Sequence, residues 1–307
     1  MFGPHVDRVH YQGKKTGRPS IVDHIRAARA TASEADFDAR AFQIFVAGPR
    51  NFSMTMRDEE ADELKAYLSD AASRGDRMTV ISHGTYMDFP WSGAPYPAKF
   101  IRTELDMCFR AGIAGLVVHL GKPPPAEVLT YLPHLVSIRR GPLVYLEVPH
   151  VKPEYSHYET PEKLAELFRQ IRHFDPTLCK FGLCIDTAHL WSCGVDLRSY
   201  EDAEDWIRRL EAVGDAIPSD HVIIHLNDSC NERGSGLDCH TGLLKGKIWG
   251  EYQDRPRQSG LAAFVDYIVR HDTVSILERK PPEALLDDYT VLARLTSTVL
   301  IPAALLD

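Results

Sequence analysis

The chain has 307 residues, 44% hydrophobic and 25% charged, an ordinary globular composition that sets aside disordered and low-complexity proteins. No apolar run reaches the roughly 20 residues that span a bilayer, and the first residues, MFGPHVDRVHYQGKK, lack the apolar core of a secretory signal; an intracellular protein is expected. The net charge of −8 argues against a surface that simply tracks phosphates with Lys and Arg.

Short apolar runs alternate with amphipathic stretches, the pattern of repeated βα units. The first predicted strand is FGPHV (2–6), followed by AFQIFV (41–46), MTVIS (78–82), GLVVH (115–119) and LVYLE (143–147). FGLCID (181–186), VIIHL (222–226) and VSILE (274–278) complete the set. Between them, helices are expected over 58–73, 99–111, 161–173, 200–212 and 260–269, the third opened by Thr160 as N-cap with Pro161 and Glu162 in its first turn. Strands that alternate with helices in this way predict an α/β fold, the (β/α)8 TIM barrel, which buries both faces of a parallel sheet. No linker or internal repeat divides the chain, so residues 1–307 read as a single domain. The longest irregular segments, 87–98 and 227–257, follow the third and seventh strands and are expected to be functional loops.

Chemistry in a TIM barrel sits at the C-terminal ends of the strands. Here those ends carry His83, His119, Glu147, Asp186, His225 and Glu278, with His189 three residues past Asp186 and Asp238 and His240 in the loop after the seventh strand. One such residue is ordinarily a capping or hydrogen-bonding group. Six consecutive strands ending in His or carboxylate point instead to metal, since buried carboxylates need a compensating cation. The remaining histidines, His24, His134, His157, His173, His221 and His271, fall off the rim and read as packing or surface residues. His5 faces the rim as a partner for a ligand, and His150 is near enough to Glu147 to touch substrate. The six cysteines, Cys108, Cys179, Cys184, Cys193, Cys230 and Cys239, are expected as reduced thiols incidental to the site.

The stretches SHGTY (82–86), VVHLGKP (117–123), LE (146–147), CIDTAH (184–189), HLNDS (225–229), GSGLDCH (234–240) and ILE (276–278) resemble the endonuclease IV family of AP endonucleases, in that family's order and spacing. The resemblance implies a TIM barrel of the xylose-isomerase-like superfamily holding three Zn²⁺. The first would take His83, His119 and the bridging Glu147; the second Glu147, Asp186, His225 and Glu278; the third His189, Asp238 and His240. Glu147, Asp186 and Glu278 would be the residues closest to the chemistry. Manganese is an alternative at one position. The implied substrate is damaged duplex DNA, cut 5′ to an abasic site to leave a 3′-hydroxyl and a 5′-deoxyribose phosphate, by a monomer with no organic cofactor and no membrane association. Metal coordination lowers the pKa of water from about 15.7 towards 7, which suits such a hydrolysis, and three Zn²⁺ would bring the net charge of −8 to about −2.

Arg50 and Tyr86 stand where the family places inserting or minor-groove residues, Met87 is an apolar wedge candidate, and Lys245 and Lys247 are candidate phosphate contacts. The chain departs from the family in its DNA-facing loops. Glu147 is followed by VPHVKPEYSHYE, Cys239 replaces an arginine, Leu244 and Trp249 replace glycines, and the loop after the second strand is reduced to AGPRNF. The alternative reading is a metal-dependent sugar isomerase or epimerase on the same barrel, which would leave His189, Asp238 and His240 without a purpose.

Overall fold

The computed structural model describes residues 1–6, 19–86, 90–135, 141–279 and 284–299. Its wall is β1 (Phe2–Pro4), β2 (Ala41–Ile44), β3 (Thr79–His83), β4 (Gly115–His119), β5 (Leu143–Glu147), β6 (Phe181–Asp186) and β7 (Val222–His225). A short hairpin, β8 (Asp228–Ser229) with β9 (His240–Thr241), precedes the last wall strand, β10 (Val274–Leu277). The eight wall strands run parallel in the order β1-β10-β7-β6-β5-β4-β3-β2, and a parallel bridge between His5 and Gln43 brings the two edges together. This is the expected TIM barrel.

Around it lie α1 (Ile21–Glu34), α2 (Asp58–Ser73), α3 (Pro95–Ala111), α4 (Pro125–Leu135), α5 (Pro161–Ile171), α6 (Thr187–Ser192), α7 (Tyr200–Ala212), α8 (Gly260–His271) and α9 (Ala284–Val299). The start of α5 is as read from sequence: Thr160 accepts a hydrogen bond from the Lys163 amide, and Pro161 fills the first turn. Helices α1, α4, α6 and α9 were not among those expected. Half of the segment expected as irregular at 87–98 is also ordered differently, since a 3₁₀ turn spans Pro90–Ser92 and α3 begins at Pro95. Among the described residues no helix is long and apolar enough to cross a membrane.

Alternation along the strands sets what faces inward. Ala41, Ile81, Val117, Tyr145, Cys184, Ile223 and Ile276 form a small apolar cluster inside the barrel. The large Tyr145 ring fits because its neighbours are glycines: a Cβ on Gly115 or Gly182 would stand 2.3 or 2.7 Å from ring carbons. The outward residues of the same strands, such as Val80, Leu116, Val144 and Leu183, join the larger core under the helices.

Candidate metal centre

Two residues beyond each inward apolar side chain, the next inward position on the strand reaches the C-terminal rim. Ala41 is followed by Gln43, Ile81 by His83, Val117 by His119, Tyr145 by Glu147, Cys184 by Asp186, Ile223 by His225 and Ile276 by Glu278. One period-two pattern thus builds the packed floor and the polar layer above it. Strand register then sets neighbours, pairing His119 with Glu147 and Asp186 with His225.

Glu147 sits at the centre, 1% exposed. Its Oε2 lies 3.3 Å from His83 Nε2 and 2.8 Å from His119 Nε2, while its Oε1 lies 2.8 Å from His225 Nδ1. Each carboxylate oxygen therefore faces a different imidazole group. His225 Nδ1 is also 3.8 Å from Asp186 Oδ2 and 3.6 Å from Glu278 Oε2. On the far side of Asp186, Asp238 Oδ1 lies 2.8 Å from His240 Nε2 and 3.6 Å from His189 Nε2. Donor atoms of His83, His119 and Glu147 gather within 4.8 Å of one another, as do those of Asp186, His225 and Glu278, and those of Asp186, His189 and His240. All nine residues read as ligands from sequence thus stand in one continuous layer.

The imidazoles are held so that one nitrogen points inward. His83 Nδ1 bonds the Gly84 carbonyl at 2.8 Å, and His189 Nδ1 bonds the Val148 carbonyl at 2.8 Å, leaving both Nε2 atoms for the site. His225 is turned the other way, its Nε2 bonding Gln43 Oε1 at 2.8 Å, which frees Nδ1. Gln43 also donates to Glu278 Oε1 at 2.7 Å and contacts His5 Nδ1 at 3.0 Å, so His5 supports the layer through Gln43. Asn227 donates to Asp186 Oδ2 at 2.7 Å. Asp186 Oδ1 meanwhile caps α6 by accepting from the amides of Ala188 and His189, so one carboxylate orients the helix that presents His189. Such partners fix ligand tautomer and direction. Gln43 and Asn227 were missed in the sequence. The strand alternation that places Gln43 level with His83 was the available signal; Asn227, beyond its strand, had none but its place in HLNDS.

The site is charged in a way that calls for cations. Burial opposes ionisation of Glu147, yet His119 and His225 hold it well below the usual carboxylate range. Burial likewise opposes ionisation of Glu278, and His225 and His240 bring it down to about 2. Burial would lower the pKa values of His189 and His240, but Asp186 and Asp238 raise both. Carboxylates that force protons onto buried imidazoles provide a donor set in which divalent metal can replace those protons. The Nε2 atoms of His189 and His240 are buried without a hydrogen-bond partner, and both face Asp238. The residues therefore fit metal.

A cleft of about 680 Å³ opens over this layer. Arg50 and Tyr86 line it, the Tyr86 ring stacking on His119 with centroids 5.6 Å apart. Met87 lies outside the described residues. Lys245 and Lys247 are not among the lining residues; they pair with Asp287 and Glu232 respectively. The expectation that all six cysteines are reduced is corrected. Cys230 and Cys239 form a disulfide, their Cα atoms 5.6 Å apart, because the β8–β9 pairing of Ser229 with His240 brings their chain neighbours side by side. Cys108, Cys179, Cys184 and Cys193 are free.

Fold and site together define the class, a xylose isomerase-like TIM barrel whose C-terminal rim gathers imidazoles and carboxylates. The AP endonuclease family model, described as a xylose isomerase-like TIM barrel, matches residues 30–265. A probable AP endonuclease of African swine fever virus is 39% identical over 280 residues, covering 91% of this chain and 92% of that relative. Endonuclease 4 of Thermus thermophilus is 29% identical over 239 residues, covering 75% of this chain and 81% of the relative. The solved structure titled AsfvAP:AG superposes with a TM-score of 0.88 at 37% identity, covering 98% of this chain and 99% of that one. This chain belongs to the endonuclease IV-like AP endonucleases.

Proposed function

We propose that the protein is a zinc-dependent AP endonuclease: one TIM-barrel domain, acting as a monomer, that hydrolyses the phosphodiester 5′ to an abasic site in duplex DNA. The products would be a 3′-hydroxyl and a 5′-deoxyribose phosphate. The observation that carries the reading is the central Glu147, with one oxygen towards His83 and His119 and the other towards His225, beside a separate set of His189, Asp238 and His240. That arrangement suits three Zn²⁺: one on His83, His119 and Glu147, one on Glu147, Asp186, His225 and Glu278, one on His189, Asp238 and His240.

When bound, divalent cations supply acidified water and neutralise charge on the phosphate oxygens. The protein's own part is preorganisation. Glu147 keeps two cation positions adjacent, Gln43 turns His225, and the Asp186 cap aims His189. The cleft above is walled by Arg50 and Tyr86, a cation and an aromatic face suited to the phosphate and sugar of an extruded nucleotide. Met87, Lys245 and Lys247 remain candidates for contacts along the duplex. A sugar isomerase would leave the set of His189, Asp238 and His240 idle.

The test is incision of a duplex carrying one tetrahydrofuran abasic analogue, with metal content measured on the same protein. Cleavage 5′ to the lesion with about three zincs per chain is expected. Glu278→Gln removes a carboxylate 3.6 Å from His225 and should lower incision by about a hundredfold or more. One bound metal and no incision would sink the reading.

A further inference from the structure

The loop leaving β5 carries a histidine that the nine-residue set does not use. His150 has a buried Nδ1 with no hydrogen-bond partner. Its ring lies 5.0 Å from that of His189 between centroids, and one donor atom each from His150, His189 and Asp238 gather within 4.8 Å of one another. The backbone on its approach is already committed: the Val148 carbonyl accepts from His189 Nδ1, and the Pro149 carbonyl accepts from Cys193 Sγ at 3.0 Å. The loop is therefore anchored to α6 at the two residues before His150, and the ring is set beside Asp238.

Nitrogens of His150, His189 and His240 thus surround one carboxylate, Asp238, and each of these rings carries a buried nitrogen without a hydrogen-bond partner. A buried polar atom left unpaired is costly, and a cation beside Asp238 would engage the imidazoles gathered around it. We propose that His150 is a fourth protein ligand to the cation held by His189, Asp238 and His240. The inference rests on the metal reading above and deepens it. Three imidazoles and one carboxylate make a four-coordinate site closed by protein, whereas three protein ligands leave a position open. His150, His189, Asp238 and His240 would then enclose the ion, and movement of His150 would open its site to substrate. His150 so retains the ion that would otherwise be the most exposed of the three, since Asp238 is 38% exposed.

The experiment titrates the zinc-loaded protein with a chelator and counts ions retained by wild type, His150→Ala, His150→Gln and Asp238→Asn. Cobalt-substituted samples are compared by visible absorption. Wild type should keep three ions. Both His150 variants should keep two firmly, which reports that they are folded, and release the third at least about tenfold more readily, with altered cobalt bands. Three ions in wild type with unchanged release and an unchanged cobalt spectrum in both His150 variants would overturn the ligand role and leave the three-ion reading intact. Two or fewer ions in wild type, with Asp238→Asn no different, would overturn the three-ion reading and this inference with it.

Discussion

Single residues here serve two layers at once. Asp186 caps α6 with one oxygen and faces the site with the other, and Gln43 sets the tautomer of His225 while holding Glu278. Outside the site, Glu104 on α3 is buried, and that burial pushes its carboxyl up to about 8, opposed by the backbone of Thr85. The folded chain therefore keeps a proton that the unfolded chain releases near pH 4.5. Between those two values the folded state binds more protons, so this group makes stability fall as pH rises, by a total on the order of a few kcal/mol. Urea unfolding of Glu104→Gln and wild type across that window checks it. The difference between them should move in favour of Glu104→Gln as pH rises, and parallel pH profiles would refute the assignment.

At the scale of elements, the β8–β9 hairpin carries Asp228 and Ser229 on one strand and His240 on the other, and the Cys230–Cys239 disulfide closes the nine-residue separation between them. Closing so short a loop contributes about 2–3 kcal/mol in the chain-entropy view. Cys230→Ser, or wild type in reductant, should lose that much in denaturant unfolding and bind metal at His240 less tightly. An unchanged midpoint in both would show that the hairpin is ordered without the bond. Much of the element order was legible beforehand: α2 and α7 occupy the residues expected, and the eight strands fall where alternating runs predicted them. The missed helices have physical reasons. In the second half of α1 alanine stands on both faces, Ala28 and Ala32 buried and Ala30 exposed, giving little contrast between them. In α4 a proline lies inside the helix after a proline-rich start, and every residue of α6 is buried, so it shows no amphipathic period.

For the whole molecule, the barrel concentrates Glu147, Asp186, Asp238 and Glu278 at one end of a chain with a net charge of −8. Cations bound there stabilise the folded state by mass action, about 4 kcal/mol when free metal exceeds Kd a thousandfold. Chelation should lower Tm by roughly 5–10 °C, and added zinc should restore it. Complete removal of metal with no change in Tm would mean that the fold carries its carboxylates without metal.

The sequence by itself indicated the barrel and the six rim residues at strand ends, because strand alternation is local and writes inward-facing polar residues at a readable period, while His189, Asp238 and His240 were legible from their places beside the short motifs. It also carried the family resemblance, which resides in short contiguous motifs. Only the tertiary structure decided what depends on distance between chain segments: that Gln43 reaches His225 and Glu278, that Cys230 meets Cys239, and that His150 comes against His189 and Asp238. The contacts of Gln43 and His150 join residues on different strands and loops that only the assembled barrel brings together, and Cys230 meets Cys239 through the β8–β9 pairing, which neither cysteine's local sequence encodes.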